Sequence, residues 1–116
     1  MMKENFLVDL SKQFAVDIVN LCTEIKEKRK GNVLINQVLR SGTSIGANVS
    51  ESQQAQSRPD FTNKLNIALK EAYETDYWLR LLHETQFLTS DEFQSIIADC
   101  RELERLLISI VKTSKE

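Results

Sequence analysis

The stretch Gln37–Ser52, QVLRSGTSIGANVSES, constrains the fold more than any other. Ile45 and Val49 fall where a core-facing helix needs apolar residues, but Ser41, Gly42, Thr43, Ser44, Gly46, Ala47 and Asn48 surround them. Each glycine costs roughly 1 kcal/mol relative to alanine inside a helix. Close backbone packing is the usual compensation. Gly42 and Gly46 lie one turn apart and, with Ser50, form a small-residue groove that accepts another helix, from the same bundle or from a second copy.

Around this segment the chain reads as four amphipathic helices. The first runs over about 5–29, with Phe6, Leu7, Leu10, Phe14, Ile18, Leu21, Cys22 and Ile25 at three-and-four spacing. Gly31 reads as its stop and Asn32 as the next N-cap. The second runs over about 33–54, with Leu34, Val38, Ser41, Ile45, Asn48 and Ser52 as one stripe and Arg40, Ser44 and Asn48 as an adjoining polar row. The third, about 59–85, opens with Pro59 in its first turn and buries Phe61, Leu65, Ala68, Ala72, Thr75, Leu79 and Leu82. The fourth, about 89–113, starts with a capping box of Thr89 and Glu92, stapled by Leu88 and Phe93. Its core positions run from Phe93 through Ile96, Ile97, Cys100, Leu103, Leu107, Ile110 and Val111.

Short connections make consecutive helices antiparallel neighbours. The expected fold is therefore all-α, an antiparallel up-down-up-down four-helix bundle formed by residues 1–116 as one domain. With only 3 Gly and 1 Pro, the chain lacks the turn residues of an all-β fold.

The third helix carries a second apolar face. Tyr73, Tyr77 and Leu81 lie four apart, flanked by Ile67 and Trp78. No helix of a four-helix bundle is central, so a two-sided helix points to a subunit interface. Gly42, Gly46, Ile67, Tyr73, Tyr77, Trp78 and Leu81 are the interface candidates.

The sequence offers little chemistry. Di-iron bundles need paired Glu-x-x-His motifs, and the one histidine, His83, follows Arg80 at that spacing. Helical ribonucleases of the HEPN type place their histidine four to six residues after an arginine, and Arg80 and His83 are too close. No phosphate-binding glycine loop occurs. Catalysis, cofactors, metals and a small-molecule substrate are not expected. Glu71 and Glu74 are better read as structural, Glu74 pairing with Lys70 and Glu71 meeting Arg40 or Asn48. Cys22 and Cys100 read as buried, unpaired thiols.

With a net charge of −2, the chain lacks the overall basic character of a nucleic-acid binder. Lys26, Lys28, Arg29 and Lys30 are the candidate contacts should it bind RNA, although cations also suit a helix C-terminus. No signal-peptide core and no apolar run of the ~18 residues that span a bilayer is present, so the expected location is cytoplasmic, away from membranes.

The residues LRSGTSIGANVSES, then Asp60–Phe61, then LNIALKEAYETDYWLRLL resemble a bacterial family of four-helix-bundle proteins, those related to proteins encoded by intervening sequences in 23S ribosomal RNA genes. The pattern rests on Arg40, Ser41, Ser44, Ile45, Ala47, Asn48 and Glu51, followed by Phe61, Ala68, Glu71, Glu74 and Trp78. The resemblance implies ring-shaped homopentamers without established catalytic activity. It also implies that Arg40, Ser41, Ser44, Asn48, Glu51, Glu71 and Glu74 form a structural network. A more distant similarity is to the accessory proteins of diversity-generating retroelements. These are basic pentamers that bind nucleic acid and a reverse transcriptase. That similarity frames the alternatives: an RNA-binding ring, or an adaptor for such an enzyme.

Overall fold

The computed structural model describes residues 2–29 and 33–115. Four helices, α1 (Met2–Lys28), α2 (Val33–Ser52), α3 (Arg58–Glu84) and α4 (Ser90–Lys115), form a bundle of 45 × 20 × 19 Å. The expected stop at Gly31, the N-cap at Asn32 and the candidate contact Lys30 lie outside the described residues.

Polar contacts fix the direction of every helix pair. Lys3 near the start of α1 meets Ser109 late in α4, while Arg29 just after α1 meets Glu92 early in α4. Arg40 early in α2 reaches Glu74 late in α3, and Glu51 at the end of α2 reaches Lys64 early in α3. Thr62 meets Ser114, and Asp76 meets Arg101. Cys22 in α1 faces the Ile35 carbonyl at the start of α2. The topology is up-down-up-down. Each helix packs on two neighbours, most extensively α2 on α3 and most sparsely α1 on α4. Among the described residues no helix is long and apolar enough to cross a membrane.

Local chemistry explains the boundaries. Ser57 caps α3, its hydroxyl accepting from the Asp60 amide, and Pro59 occupies the first turn. Thr89 and Glu92 form the expected reciprocal capping box: the Glu92 amide donates to the Thr89 hydroxyl and the Thr89 amide to the Glu92 carboxylate. The α3–α4 turn is a Schellman motif. The Phe87 amide donates to the Leu82 carbonyl and the Gln86 amide to that of His83. Gln86 adopts φ 69°, the left-handed conformation that glycine usually supplies there.

The core of α1, α3 and α4 follows the apolar spacing, except that Phe6 is 51% exposed and the polar Ser11, Asp76 and Ser114 are buried. In α2 the buried stripe is Ile35, Val38, Ser41, Gly42, Ile45, Val49 and Ser52. Leu34 and Asn48, assigned to that stripe from spacing, lie at its margin. The rotation follows from the glycines. A β-carbon on Gly42 would stand 3.0 Å from two Ile18 carbons, and one on Gly46 would stand 3.1 Å from the Ser11 carbonyl oxygen. α1 therefore fills the small-residue groove. This corrects the assignment of Gly42 and Gly46 to a subunit interface, and Ser50, which is exposed, is no part of the groove.

Candidate functional site

The polar residues of the resemblance gather on the α2–α3 seam. Arg40 Nη2 donates to Glu74 at 2.6 Å and Nη1 to Glu71 at 3.3 Å, while Gln37 accepts from Nε and Nη2. Glu74 is thus held by Arg40 rather than by Lys70. The guanidinium keeps the Glu74 carboxyl below its usual range. Burial and the neighbouring Glu74 charge push Glu71 the other way, with Arg40 only partly opposing them.

Beneath this surface triad, Thr75 donates to Ser41 at 2.8 Å, both side chains fully buried. Thr75 also contacts the Glu71 carbonyl at 2.7 Å. The pair ties α2 to α3 at one register, because a slide by one turn would part the two hydroxyls and take this partner from Ser41 in the core. Asn48 Nδ2 donates to the Ser44 carbonyl of its own helix, not to Glu71. Glu51 meets Lys64 at 3.4 Å, at the far end of the seam.

Next to the triad lies the aromatic face. Tyr73 and Tyr77 are 49% and 52% exposed, one turn apart. Tyr77 packs edge-on to Trp78 at 5.0 Å, and Arg80 lies 5.8 Å from the Tyr77 ring centre. Trp78 packs partly against the core. Its indole Nε1 is buried without an acceptor in hydrogen-bond geometry, although its N–H dipole still favours the charged form of Glu74. Ile67 and Leu81 are half-buried.

The cationic end of α1 differs from the sequence reading. Arg29 is not free for a nucleic-acid phosphate. Its two terminal nitrogens grip Glu92 at 2.8 and 2.9 Å, and Nη1 also donates to the Phe87 carbonyl. Lys28 pairs with Glu24 at 3.5 Å, and Lys26 is exposed.

A second polar cluster, between α3 and α4, escaped sequence reasoning. Asp76, 7% exposed, accepts from Arg80 at 2.9 Å and from Arg101 at 3.3 Å. Its carboxylate lies within 4.8 Å of Glu104 and of the Cys100 thiol. Burial opposes ionisation of Asp76, but hydrogen bonds from Glu104, Arg101 and Arg80 outweigh it and hold its pKa low. Burial, then donation to Asp76 and repulsion by it, push Glu104 up to about 7. The four-residue spacing of Asp76 and Arg80 was the available signal.

Neither thiol is poised to react. Both are free and buried, with burial pushing Cys22 up to about 11 and Cys100 higher still. The Cys100 thiol donates to the Ala72 carbonyl at 3.4 Å. His83 stacks on Phe93 at 4.3 Å.

The profile of the 23S rRNA-intervening sequence protein family matches residues 3–109. The chain belongs to this family. A crystal structure of a protein of unknown function from the S23 ribosomal protein family of Bacteroides thetaiotaomicron superposes with a TM-score of 0.93 at 55% identity. The match covers 95% of this chain and 98% of that one. Among curated proteins none matches. Family membership thus comes with the four-helix architecture and without an assigned activity.

Proposed function

We propose that this protein is a non-catalytic scaffold that assembles with copies of itself into a ring-shaped homo-oligomer, a homopentamer by the resemblance noted above. The observation that carries this reading is the outer face of α3. Its inner face is saturated by the core, yet Tyr73 and Tyr77 project from the other side with about half their surface in water. Aromatic residues grouped in this way are enriched at interfaces, where they bury a large area at low entropic cost. The Arg40–Glu71–Glu74 triad beside them would form the polar rim. The shielded thiols and the stacked histidine accord with a role outside catalysis.

Light scattering of the purified chain tests the reading. A salt-insensitive mass near 66 kDa, five copies of the 13.3 kDa chain, is expected. Tyr73→Lys with Tyr77→Lys should convert it to monomer without loss of helicity, since neither ring belongs to the core. A wild-type monomer would overturn it.

The alternative, a nucleic-acid-binding ring or an adaptor for a reverse transcriptase, has less support. Of its four candidate cations, Arg29 and Lys28 already hold carboxylates.

A further inference from the structure

At the end of the bundle where α1 and α3 begin and α2 and α4 finish lies a cavity of 680 Å³. Its size falls within the range of about 300–1,000 Å³ typical of small-molecule sites. Phe61 and Ile110 give it an apolar wall, Ser52 and Ser114 also line it, and Lys3 and Arg58 stand at it.

The two cations set this place apart. Arg29, Arg40, Arg80, Arg101 and Arg105 each hold a carboxylate. Arg58 is the remaining arginine, and its one partner among the described residues is neutral: Nη1 donates to the Ser114 carbonyl at 3.3 Å. A guanidinium has five N–H donors in a planar fork suited to a carboxylate, so most of that capacity remains unused. Lys3 is similar, donating at 2.6 Å to the hydroxyl of Ser109, and it has no carboxylate partner among the described residues. Glu4 is the one acidic side chain in the wall among the described residues. Among the described residues of the wall, two cations thus stand against one carboxylate, in a chain of net charge −2.

We propose that this cavity binds a small monoanionic organic acid with an aromatic or branched aliphatic body. The carboxylate sits on the free donors of Arg58 with Lys3 in support, and the apolar part lies against Phe61 and Ile110. A single chain forms the whole cavity, so the proposal does not depend on the ring.

The test is an amide chemical-shift titration of the full ¹⁵N-labelled chain with three probes of one shape: 2-naphthoate, 2-naphthalenemethanol and 2-naphthylmethylamine. Naphthoate should give saturable shifts at Ala55, Arg58, Phe61 and Ser114. The alcohol should bind about tenfold more weakly, the loss expected for one charge-assisted contact. The amine should leave these amides unmoved. Arg58→Gln, at an exposed position, should bring naphthoate down to the affinity of the alcohol, and Arg58→Lys should restore part of the difference. Equal binding of acid and alcohol, naphthoate binding unchanged by Arg58→Gln, shifts centred on Tyr73 and Tyr77, or no saturation at millimolar naphthoate would each overturn the proposal.

Discussion

Arg29 and Glu92 lie 63 positions apart in the chain and form a two-pronged ion pair, 2.8 and 2.9 Å long, that pins the end of α1 to the start of α4. Glu92 also completes the capping box of α4, and Arg29 holds the Phe87 carbonyl. One contact therefore fixes a helix start, a turn and an interhelical seam.

Removing either partner should cost about 1–2 kcal/mol, a charged hydrogen-bond contribution reduced for partial solvent screening. Glu92→Gln, which keeps the shape and loses the charge, should cost less than Glu92→Ala. A double-mutant cycle with Arg29→Met, read by urea denaturation, should show coupling between the two positions. Strict additivity would mean that the contact contributes nothing.

The carboxylates make stability depend on pH in both directions. Arg29 holds Glu92 down at about 2, against an ordinary value of 4.5. Its contribution is present above about pH 4.5 and is lost as pH falls toward 2. Glu104 is raised to about 7, so the folded chain holds that proton more tightly than the unfolded one. Its contribution is present below about pH 4.5 and is lost as pH rises through 7. Stability should peak near about pH 5 and decline by about 1 kcal/mol toward pH 8, after allowance for the partial exposure of Glu104. Glu104→Gln should flatten the decline above pH 5 and leave the acid limb intact, as followed by denaturant midpoints across pH.

The two helical glycines should respond differently to substitution. Gly46→Ala drives a methyl toward a backbone oxygen, so α1 itself must move. The expected loss is about 1–3 kcal/mol despite the better helix propensity of alanine. Gly42→Ala meets the Ile18 side chain instead. Adding Ile18→Ala to Gly42→Ala should therefore cost less than the two separate losses combined, by about 1 kcal/mol. The same second change should not rescue Gly46→Ala.

Gln86 occupies a left-handed position without being glycine. Gln86→Gly should raise stability by about 0.5–1 kcal/mol, since the strain relieved exceeds the entropy added to the unfolded chain. Thermal denaturation of the variant beside the parent would measure this directly.

Much of the bundle was legible because three helices carry their burial in large apolar residues. Leu65, Leu79, Leu103 and Leu107 announce their faces by spacing alone. The capping box of Thr89 and Glu92 was legible because its contacts are local. In α2 spacing points to Leu34 where the structure buries Ile35, since Ser41, Gly42 and Ser52 make up three of the seven buried positions and weigh little in any hydrophobic pattern. The destination of the glycines depended on which backbone came near, a tertiary fact. Of the candidate site, the Arg40–Glu71 contact could be expected from two neighbouring helix faces. The Asp76–Glu104 pair required the register of α3 against α4, and Arg29–Glu92 required closure of the whole bundle.

The uneven packing around the ring of helices has a kinetic meaning. α2 and α3 share the most extensive contact, whereas α1 and α4 meet along the sparsest one. Local opening follows the path of fewest buried contacts, and amides in the tightest unit are released to solvent last. The α2–α3 pair should thus be the most protected against deuterium, with Ser41 and Thr75 at its heart. The bundle should breathe along the α1–α4 edge, as a cylinder that opens at its seam.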